Sequence, residues 1–418
     1  MGMANAFEVV DLVTKEALRI AHEKATFIGT TDLQYDETFK YNARKGKFGQ
    51  TLRVREPNQY VRRQGSRVMD VQDQNESSQN LTVATQDGVD MRFNSAELIQ
   101  SVNNDAAFDD LSKNYIEPAM AVLISGIEAD YLAACTKATY NVAGTAGTAI
   151  ADLTAIGAAR AKLNQGLAPK DRGNRAVQMD SVTMGGLVKG VASYFAPQAD
   201  IAEQYREGMI ARTGMADFYE NERVWTMTNG SDVTGTVNAS GGVTDGGNTV
   251  KIYTTIADAV QLVGMVFTIA GVYACHPETK QAYSHLQQFT ITAADPSTTG
   301  TTISPATILT GAKQNVCASD GTQLATTDFD SATLTFVGSA STSYVQSLMY
   351  HKEAFQFVTA DLPILDDAQK CQVQQMDGLS VRVWMGSDIR NDELLMRLDI
   401  LYGWAQMRPQ WASRMIGS

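Results

Sequence analysis

Histidine and cysteine are both scarce in this chain, four of each in 418 residues, and the scarcity narrows the chemistry. Cys135, Cys275, Cys317 and Cys371 stand far apart with no CxxC spacing, the pattern of buried or reduced thiols in a cytoplasmic protein. Of His22, His276, His285 and His351, two lie near Cys275. Adjacent ligands followed by one nine residues on match no standard zinc pattern. There is no GxSxG elbow, no Walker loop and no GxGxxG, and Gly185-Gly186-Leu187-Val188-Lys189-Gly190 lacks the spacing of a phosphate cradle. Asp361, Asp366 and Asp367 could pose as the paired carboxylates of a glycosidase, yet acidic residues beside Pro363 are what a solvated turn contains. No catalytic residue, cofactor or metal is expected. Also missing is any apolar run near the ~18–20 residues that span a bilayer, so no membrane partner is expected. Met1–Asn5 lacks the basic start and apolar core of a secretion signal, so export is not expected either.

What is present describes an ordinary folded protein. Hydrophobic residues make up 44% and charged residues 19%, which excludes a largely disordered chain, and the length suits two or three domains. The net charge of −12 makes the surface repel nucleic acid except where basic residues cluster.

Such a cluster exists. Lys40, Arg44, Lys45, Lys47, Arg53, Arg55, Arg62, Arg63 and Arg67 are opposed between Lys40 and Arg67 only by Glu56. The segment alternates loosely, is broken by Gly46, Gly49, Pro57 and Gly65, and is followed by a polar stretch and a second strand-like run at Asn80–Val83. This predicts an extended hairpin with too little apolar content to be stable alone. Tyr41, Phe48 and Tyr60 form no stacking series for a nucleic acid.

Upstream, Ala6–Lys24 has an apolar stripe at helical spacing and predicts an amphipathic helix, packed on its own domain or on another surface. Downstream, Ile116, Met120, Leu123, Ile127, Tyr131 and Ala134 recur every three or four residues. They predict a long helix starting near Pro118, about 30 Å in length, with Ser125, Glu128 and Lys137 on the opposite face. A helix at Thr154–Leu163, a buried strand at Val177–Met184 and a helix at Gly185–Tyr194 follow. Thr226–Asn248, rich in Gly, Thr and Ser, is the clearest composition shift. Short strands at Gly264–Ala274, Leu286–Thr292, Ala306–Leu309 and Ala332–Val337 then suggest a small β-barrel.

Near the C-terminus three strand-type runs stand out: Tyr350–Val358, Leu379–Gly386 and Arg397–Ala405. The second alternates as a half-buried strand, and the third has both faces at least partly covered. This region also carries His351-Lys352-Glu353-Ala354-Phe355, Thr359-Ala360-Asp361-Leu362-Pro363, Asp388-Ile389-Arg390-Asn391-Asp392 and Leu401-Tyr402-Gly403-Trp404-Ala405. Earlier come Tyr205-Arg206-Glu207-Gly208-Met209-Ile210, Gly214-Met215-Ala216-Asp217-Phe218, Gly264 through Val272 and Leu286-Gln287-Gln288-Phe289. Together these resemble tailed-phage major capsid (coat) proteins of the P-22 type.

The resemblance implies an α+β fold of the HK97 capsid type with an inserted barrel, the I-domain. Its parts would be an N-terminal arm (1–36), an extended E-loop hairpin (37–95) and a P-domain with the spine helix (96–150). The first part of the A-domain (151–224), the I-domain (225–347) and the C-terminal A/P part (348–418) would complete it. The implied function is self-assembly as pentamers and hexamers into an icosahedral phage head around packaged dsDNA. The implied partners are other copies of the chain, a scaffolding protein during assembly and a portal protein at one vertex, with dsDNA nearby but not bound by sequence. The implied place is the virion shell, assembled in the host bacterial cytoplasm. Arg44, Lys45, Arg53, Arg55, Arg62, Arg63, Asp232 and Asp245 are the inter-subunit contact candidates. The competing reading is a soluble carbohydrate-binding or carbohydrate-active protein with a β-barrel module.

Overall fold

The computed structural model describes residues 13–20, 25–34, 51–63, 65, 67–69, 71–72, 77–94, 115–171, 173–191, 216–231, 233–238, 241–253, 262–293, 300–364, 370–376, 379–388, 390–391 and 393–417. Residues 13–20 form helix α1. β1 (Thr51–Arg55) and β2 (Ser78–Thr82) pair as a two-stranded ribbon, and β3 (Thr85–Asn94) follows. Next come α2 (Glu117–Ala138), β4 (Val142–Ala143), α3 (Leu153–Gln165), β5 (Arg175–Met179), α4 (Ser181–Val191) and β6 (Asp217–Glu220). Nine strands occupy the middle: β7 (Thr226–Thr228), β8 (Thr234–Val237), β9 (Gly247–Val250), β10 (Ile252–Tyr253), β11 (Val266–Cys275), β12 (Ala282–Ala293), β13 (Thr301–Thr307), β14 (Val316–Cys317) and β15 (Thr333–Phe336). The chain ends with β16 (Ser343–His351), β17 (Phe355–Ala360), β18 (Lys370–Met376), β19 (Leu379–Asp388), β20 (Glu393–Gln406) and β21 (Ala412–Ile416).

These elements form two compact units, the first drawn from Met1–Val54, Ser78–Tyr131 and Phe355–Ala405 and the second from Arg55–Ser77, Leu132–Ala354 and Gln406–Ser418. In the first unit β20 is the central strand of a sheet in the order β17-β20-β19-β18, and β3 also pairs with β20 along its length, from Glu393 opposite Asn94 to Tyr402 opposite Thr85. Residues 85–94 of the expected hairpin segment are therefore sheet.

Leu379–Gly386 departs from its expected half-buried pattern: Leu379 through Val383 are all buried. The reason is an ion pair in the sheet. Arg382 donates to Asp399 at 2.6 Å, and Arg397 donates to the other oxygen of Asp399 at 2.8 Å and 3.0 Å. Asp399 is fully buried, so its charge must be met inside the protein. Gly88 lies opposite it in the register, where a Cβ would come within 2.6 Å of the carboxylate. Only a residue without a side chain leaves Asp399 room to face its arginines.

The stripe expected on α2 is buried as predicted at Ile116, Met120, Leu123, Ile127 and Tyr131. Glu128, expected on the polar face, is buried as well. Its carboxylate accepts the backbone N–H groups of Thr26 and Phe27 at 3.1 Å and 2.7 Å, satisfying donors at the start of the turn Ile28–Thr30. Phe27 then packs at a tilt against Tyr131 at 4.8 Å, and Tyr131 meets Phe357 and Trp404 at 5.2 Å and 5.6 Å. Contrary to the expectation that no stretch suits a bilayer, α2 is long and apolar enough to cross one by length and composition, yet half of that window is buried in the protein. Helix α1 turns Val13, Thr14, Ala17, Leu18 and Ile20 inward; this is the packing expected on its own chain. The rest of Ala6–Lys24 lies outside the described residues.

In the second unit a sheet runs β4-β21-β16-β5-β6. α3 and α4 supply Ile156, Ala159, Leu163, Met184 and Leu187 to a core with Val177, Met179, Met349 and Met415. The Asp152 carboxylate caps α3 by accepting from Thr154 N at 2.9 Å. The expected strand Val177–Met184 is shorter, because Asp180 ends β5 and accepts Thr183 N at 3.2 Å, so Met184 is helical. The expected run Tyr350–Val358 is broken by a helical turn at Lys352–Ala354 between β16 and β17.

Eight strands of the middle segment form one sheet in the order β10-β8-β15-β11-β12-β13-β9, with β14 on β11. β9 and β10 are separated only by Lys251. A single stretch thus pairs with β13 at one end and β8 at the other, and the sheet closes into a barrel. Val250, Phe267, Ile269, Phe289, Ile291 and Phe329 fill it. The composition-shift segment Thr226–Asn248 is thus not only loop, since it contributes β7, β8 and the start of β9. The chain enters and leaves this segment on paired strands: Thr226, Met227 and Thr228 of β7 face Val345, Tyr344 and Ser343 of β16.

Arg414 ties β21 to the barrel and to the end of α2. It is 1% exposed. Its Nε donates to Thr139 O at 2.6 Å and its Nη1 to Gly264 O at 2.6 Å, while its Nη2 donates to Lys137 O and Thr290 Oγ1 at 2.9 Å and 2.8 Å. Burial alone holds its pKa down, to about 9. Replacing it with methionine keeps the bulk but leaves the Thr139 and Gly264 carbonyls without that donor and Lys137 O with the Thr290 hydroxyl alone. Arg414→Met is expected to destabilise the second unit by about 3 kcal/mol, read as a lower urea midpoint, whereas an unchanged midpoint would show that water takes over those bonds.

Candidate subunit-contact surface

The basic hairpin is built as a ribbon with a charged outer face. Along β1, Arg53 and Arg55 are exposed and alternate with half-buried Leu52 and Val54, as a period-two strand requires. The Thr51 and Thr82 hydroxyls bond at 2.9 Å across the ribbon, and Glu56 N donates to Ser77 O at 2.9 Å beyond it. Farther out, Gln72 clips the two sides together: its Oε1 accepts Val61 N at 2.9 Å and its Nε2 donates to Val61 O at 2.6 Å. Arg62 and Arg63 are exposed here, and the Arg63 guanidinium donates to the Val68 carbonyl. Lys313 Nζ donates to Ser77 Oγ at 2.6 Å.

Of the predicted contact residues, Arg53 and Arg55 share the exposed face of β1, and Arg62 and Arg63 are exposed farther along the chain. Asp245 sits apart, in the barrel, where it accepts Leu309 N at 2.7 Å and the Thr310 hydroxyl at 3.1 Å while remaining exposed. Arg44, Lys45 and Asp232 lie outside the described residues. Asp361 is half-buried and accepts from Ser380 Oγ at 2.7 Å, whereas Asp366 and Asp367 lie outside the described residues.

Sequence reasoning missed the apolar part of this surface. Tyr60, Val61, Val68, Met69 and Val71 are 57%, 41%, 75%, 76% and 78% exposed. Val68-Met69 and Val71 are the signal that could have shown it, an apolar knot in an otherwise polar, glycine-broken arm. The ribbon is seated by Gly403 in the first unit. A Cβ there would lie 2.1 Å from Thr82 O and 2.9 Å from the Val83 Cα, so β20 and the end of β2 meet backbone to backbone.

Two histidines of the second unit have pKa values lowered by burial. His351 is buried, its Nδ1 accepts Glu353 N at 3.3 Å, and its ring stands edge-on to Trp411 at 5.5 Å. Burial lowers its pKa, with Glu353 opposing and Arg175 and Arg408 assisting. His285 stacks on Tyr283 at 5.5 Å. Burial, helped by the charge of Lys162, brings its pKa down to about 4.

With that geometry in hand, a family model described as P22 coat protein, gene protein 5, matches residues 168–417. The chain belongs to the P22 coat protein family. No curated protein sequence matches it. Among solved structures it is similar to one from Mycobacterium phage Che8, at 10% identity and a TM-score of 0.46, covering 92% of this chain and 89% of that one. It is also similar to a capsid protein of cyanophage P-SCSP1u (10%, TM-score 0.42, 88% and 84% covered) and of Ralstonia phage GP4 (8%, TM-score 0.44, 88% and 83% covered). Family membership makes this a phage coat protein with a structural role in the capsid shell.

Gly403→Ala is expected to push β2 off β20 and cost about 2 kcal/mol, seen as a lower unfolding midpoint together with earlier proteolysis at residues 55–77. Loss of stability without that early cleavage would place the strain elsewhere. The histidines give a pH dependence of known sign. Both folded pKa values lie below the unfolded value near ~6.5, so the stability they contribute is complete above that pH and is lost as pH falls toward about 4. Urea midpoints between pH 7.5 and 4.5 should fall, and His285→Gln should flatten part of that fall.

Proposed function

We propose that copies of this chain tile an icosahedral phage head as pentamers and hexamers and enclose packaged dsDNA. Assembly takes place in the host bacterial cytoplasm on a scaffolding protein, with a portal protein at one vertex. The exposed apolar tip of the hairpin carries this reading. Five apolar side chains at the end of an arm that is elsewhere basic or polar form a patch of the kind another protein covers. Burying each against a second copy is favourable by about 1–2 kcal/mol. Individually weak contacts become strong when a closed lattice repeats them.

In this reading Arg53, Arg55, Arg62 and Arg63 surround the apolar tip as a polar rim that fixes its register on an acidic neighbour. Arg44, Lys45, Asp232 and Asp245 remain candidates for further contacts between subunits. The segment 225–347 serves as the inserted I-domain, a reading supported by the paired strands that open and close it. The surplus of negative charge keeps the shell from adhering to the DNA it holds.

Sizing and negative-stain imaging of the purified protein, alone and with a scaffolding partner, test the proposal. Megadalton shells are the expected result. A stable small species that binds glycans would instead favour the carbohydrate reading. Reversing Arg53, Arg55, Arg62 and Arg63 together to glutamate is expected to leave the circular dichroism spectrum unchanged and to cut shell yield at least tenfold. Normal particles from that variant would refute the role given to the arm.

A further inference from the structure

One loop of the barrel, residues 308–315, reaches the arm of the same chain. Lys313 Nζ donates to the Ser77 hydroxyl at 2.6 Å, and that hydroxyl donates in turn to the Glu56 carboxylate. Glu56 N donates to Ser77 O at 2.9 Å, so the two arm residues are also joined through their backbones. Residues 55–77 and the barrel belong to the same compact unit. Farther out, the bonds from Gln72 to Val61 and from Arg63 to Val68 stay within the arm. Lys313 reaches it from the barrel.

The loop is arranged to hold that lysine still. Asn315 closes its base: Oδ1 accepts Ile308 N at 3.0 Å, Nδ2 donates to Ala306 O at 2.7 Å, and the backbone N donates to Ile308 O at 3.1 Å. Asp245 holds its first residues by accepting Leu309 N and the Thr310 hydroxyl. Lys280 donates to the carbonyls of Ala312 and Gln314 at 2.6 Å and 3.3 Å, the residues on either side of Lys313. The Lys313 backbone therefore has little freedom left to lose when its side chain is fixed. On the arm, a serine hydroxyl can accept one hydrogen bond while donating another. With an ammonium on one side and a carboxylate on the other, both bonds are charge-assisted and each polarises the other.

We propose that loop 308–315 is a docking site for the arm of its own chain, and that Lys313, Ser77 and Glu56 latch the arm to the barrel before a second copy is met. The arm has too little apolar content to keep a fixed position by itself, while Tyr60, Val61, Val68, Met69 and Val71 stand exposed beyond Glu56. A latch at the two ends of residues 57–76 fixes where those side chains are presented. The entropy of ordering the arm is then lost during folding and not when subunits meet, which favours association. The latch is intramolecular and holds whether or not shells form. Its effect on assembly rests on the reading of the arm as a contact element.

Limited chymotrypsin digestion of the full-length protein, kept dilute and unassembled, tests the latch through cleavage after Tyr60. The rate follows the population of the opened arm. Lys313→Met and Ser77→Ala are each expected to raise it about tenfold. The double variant is expected to be cut no faster than Ser77→Ala alone, because a single relay is lost in both. An unchanged far-UV circular dichroism spectrum in all three separates release of the arm from unfolding of the barrel. Parental cleavage rates in both single variants overturn the inference, as do separate effects that multiply in the double variant. A protein that shows the expected cleavage pattern but forms no shells would overturn the assembly reading of the arm and leave the latch standing.

Discussion

The second unit turns on one guanidinium with no carboxylate. Arg414 is fully buried and meets three backbone carbonyls and one hydroxyl, drawn from the end of α2, the turn before β11, and β12. A planar fork of donors suits that task, since it reaches several acceptors at once and, unlike a lysine, keeps its charge when dry. The carbonyl at Lys137 belongs to the last turn of α2, which has no partner within the helix and carries the negative end of its dipole. The cation is therefore offset by backbone dipoles and not by a counter-ion. The three pieces it joins are far apart in sequence, so any one of them out of place leaves the others unsatisfied.

The first unit solves its own buried-charge problem in a different way. Asp399 takes Arg382 and Arg397 within one sheet, and Glu128 takes two backbone N–H groups at the start of a helical turn. In both cases a carboxylate inside an apolar surrounding fixes which strand or segment lies beside it. Phe27, Tyr131, Phe357, Tyr402 and Trp404 then add packing without direction. The polar contacts set position and the aromatic ones add most of the stabilisation, the usual division between hydrogen bonding and burial.

Much of this was legible beforehand, and the residues show why. The α2 stripe carries strong periodicity, and burial follows it; the third C-terminal run, expected to be covered on both faces, is buried from Leu398 through Gly403. Glu128 was misplaced because helical spacing says which face a residue occupies but not what approaches that face. The Leu379 run looked half-buried because alternation cannot distinguish an outward arginine from one paired across a ladder. Lys352–Ala354 broke a run that read as continuous, since a single helical turn leaves no periodic trace. The contact surface was half legible. Its charges stood out in composition, while its apolar tip was hidden by the polar residues around it.

The doorway to the barrel has one more implication. β7 and β16 lie side by side where the chain crosses into and out of this segment, so in purely topological terms the module is a cassette: a tight turn from Met227 to Tyr344 would close the gap, and lineages could gain, lose or exchange it without rethreading the host sheet. Arg414 limits that freedom. Two of its four acceptors, Gly264 and Thr290, belong to the cassette, so a version of this chain without the barrel would have to lose or re-partner that arginine as well.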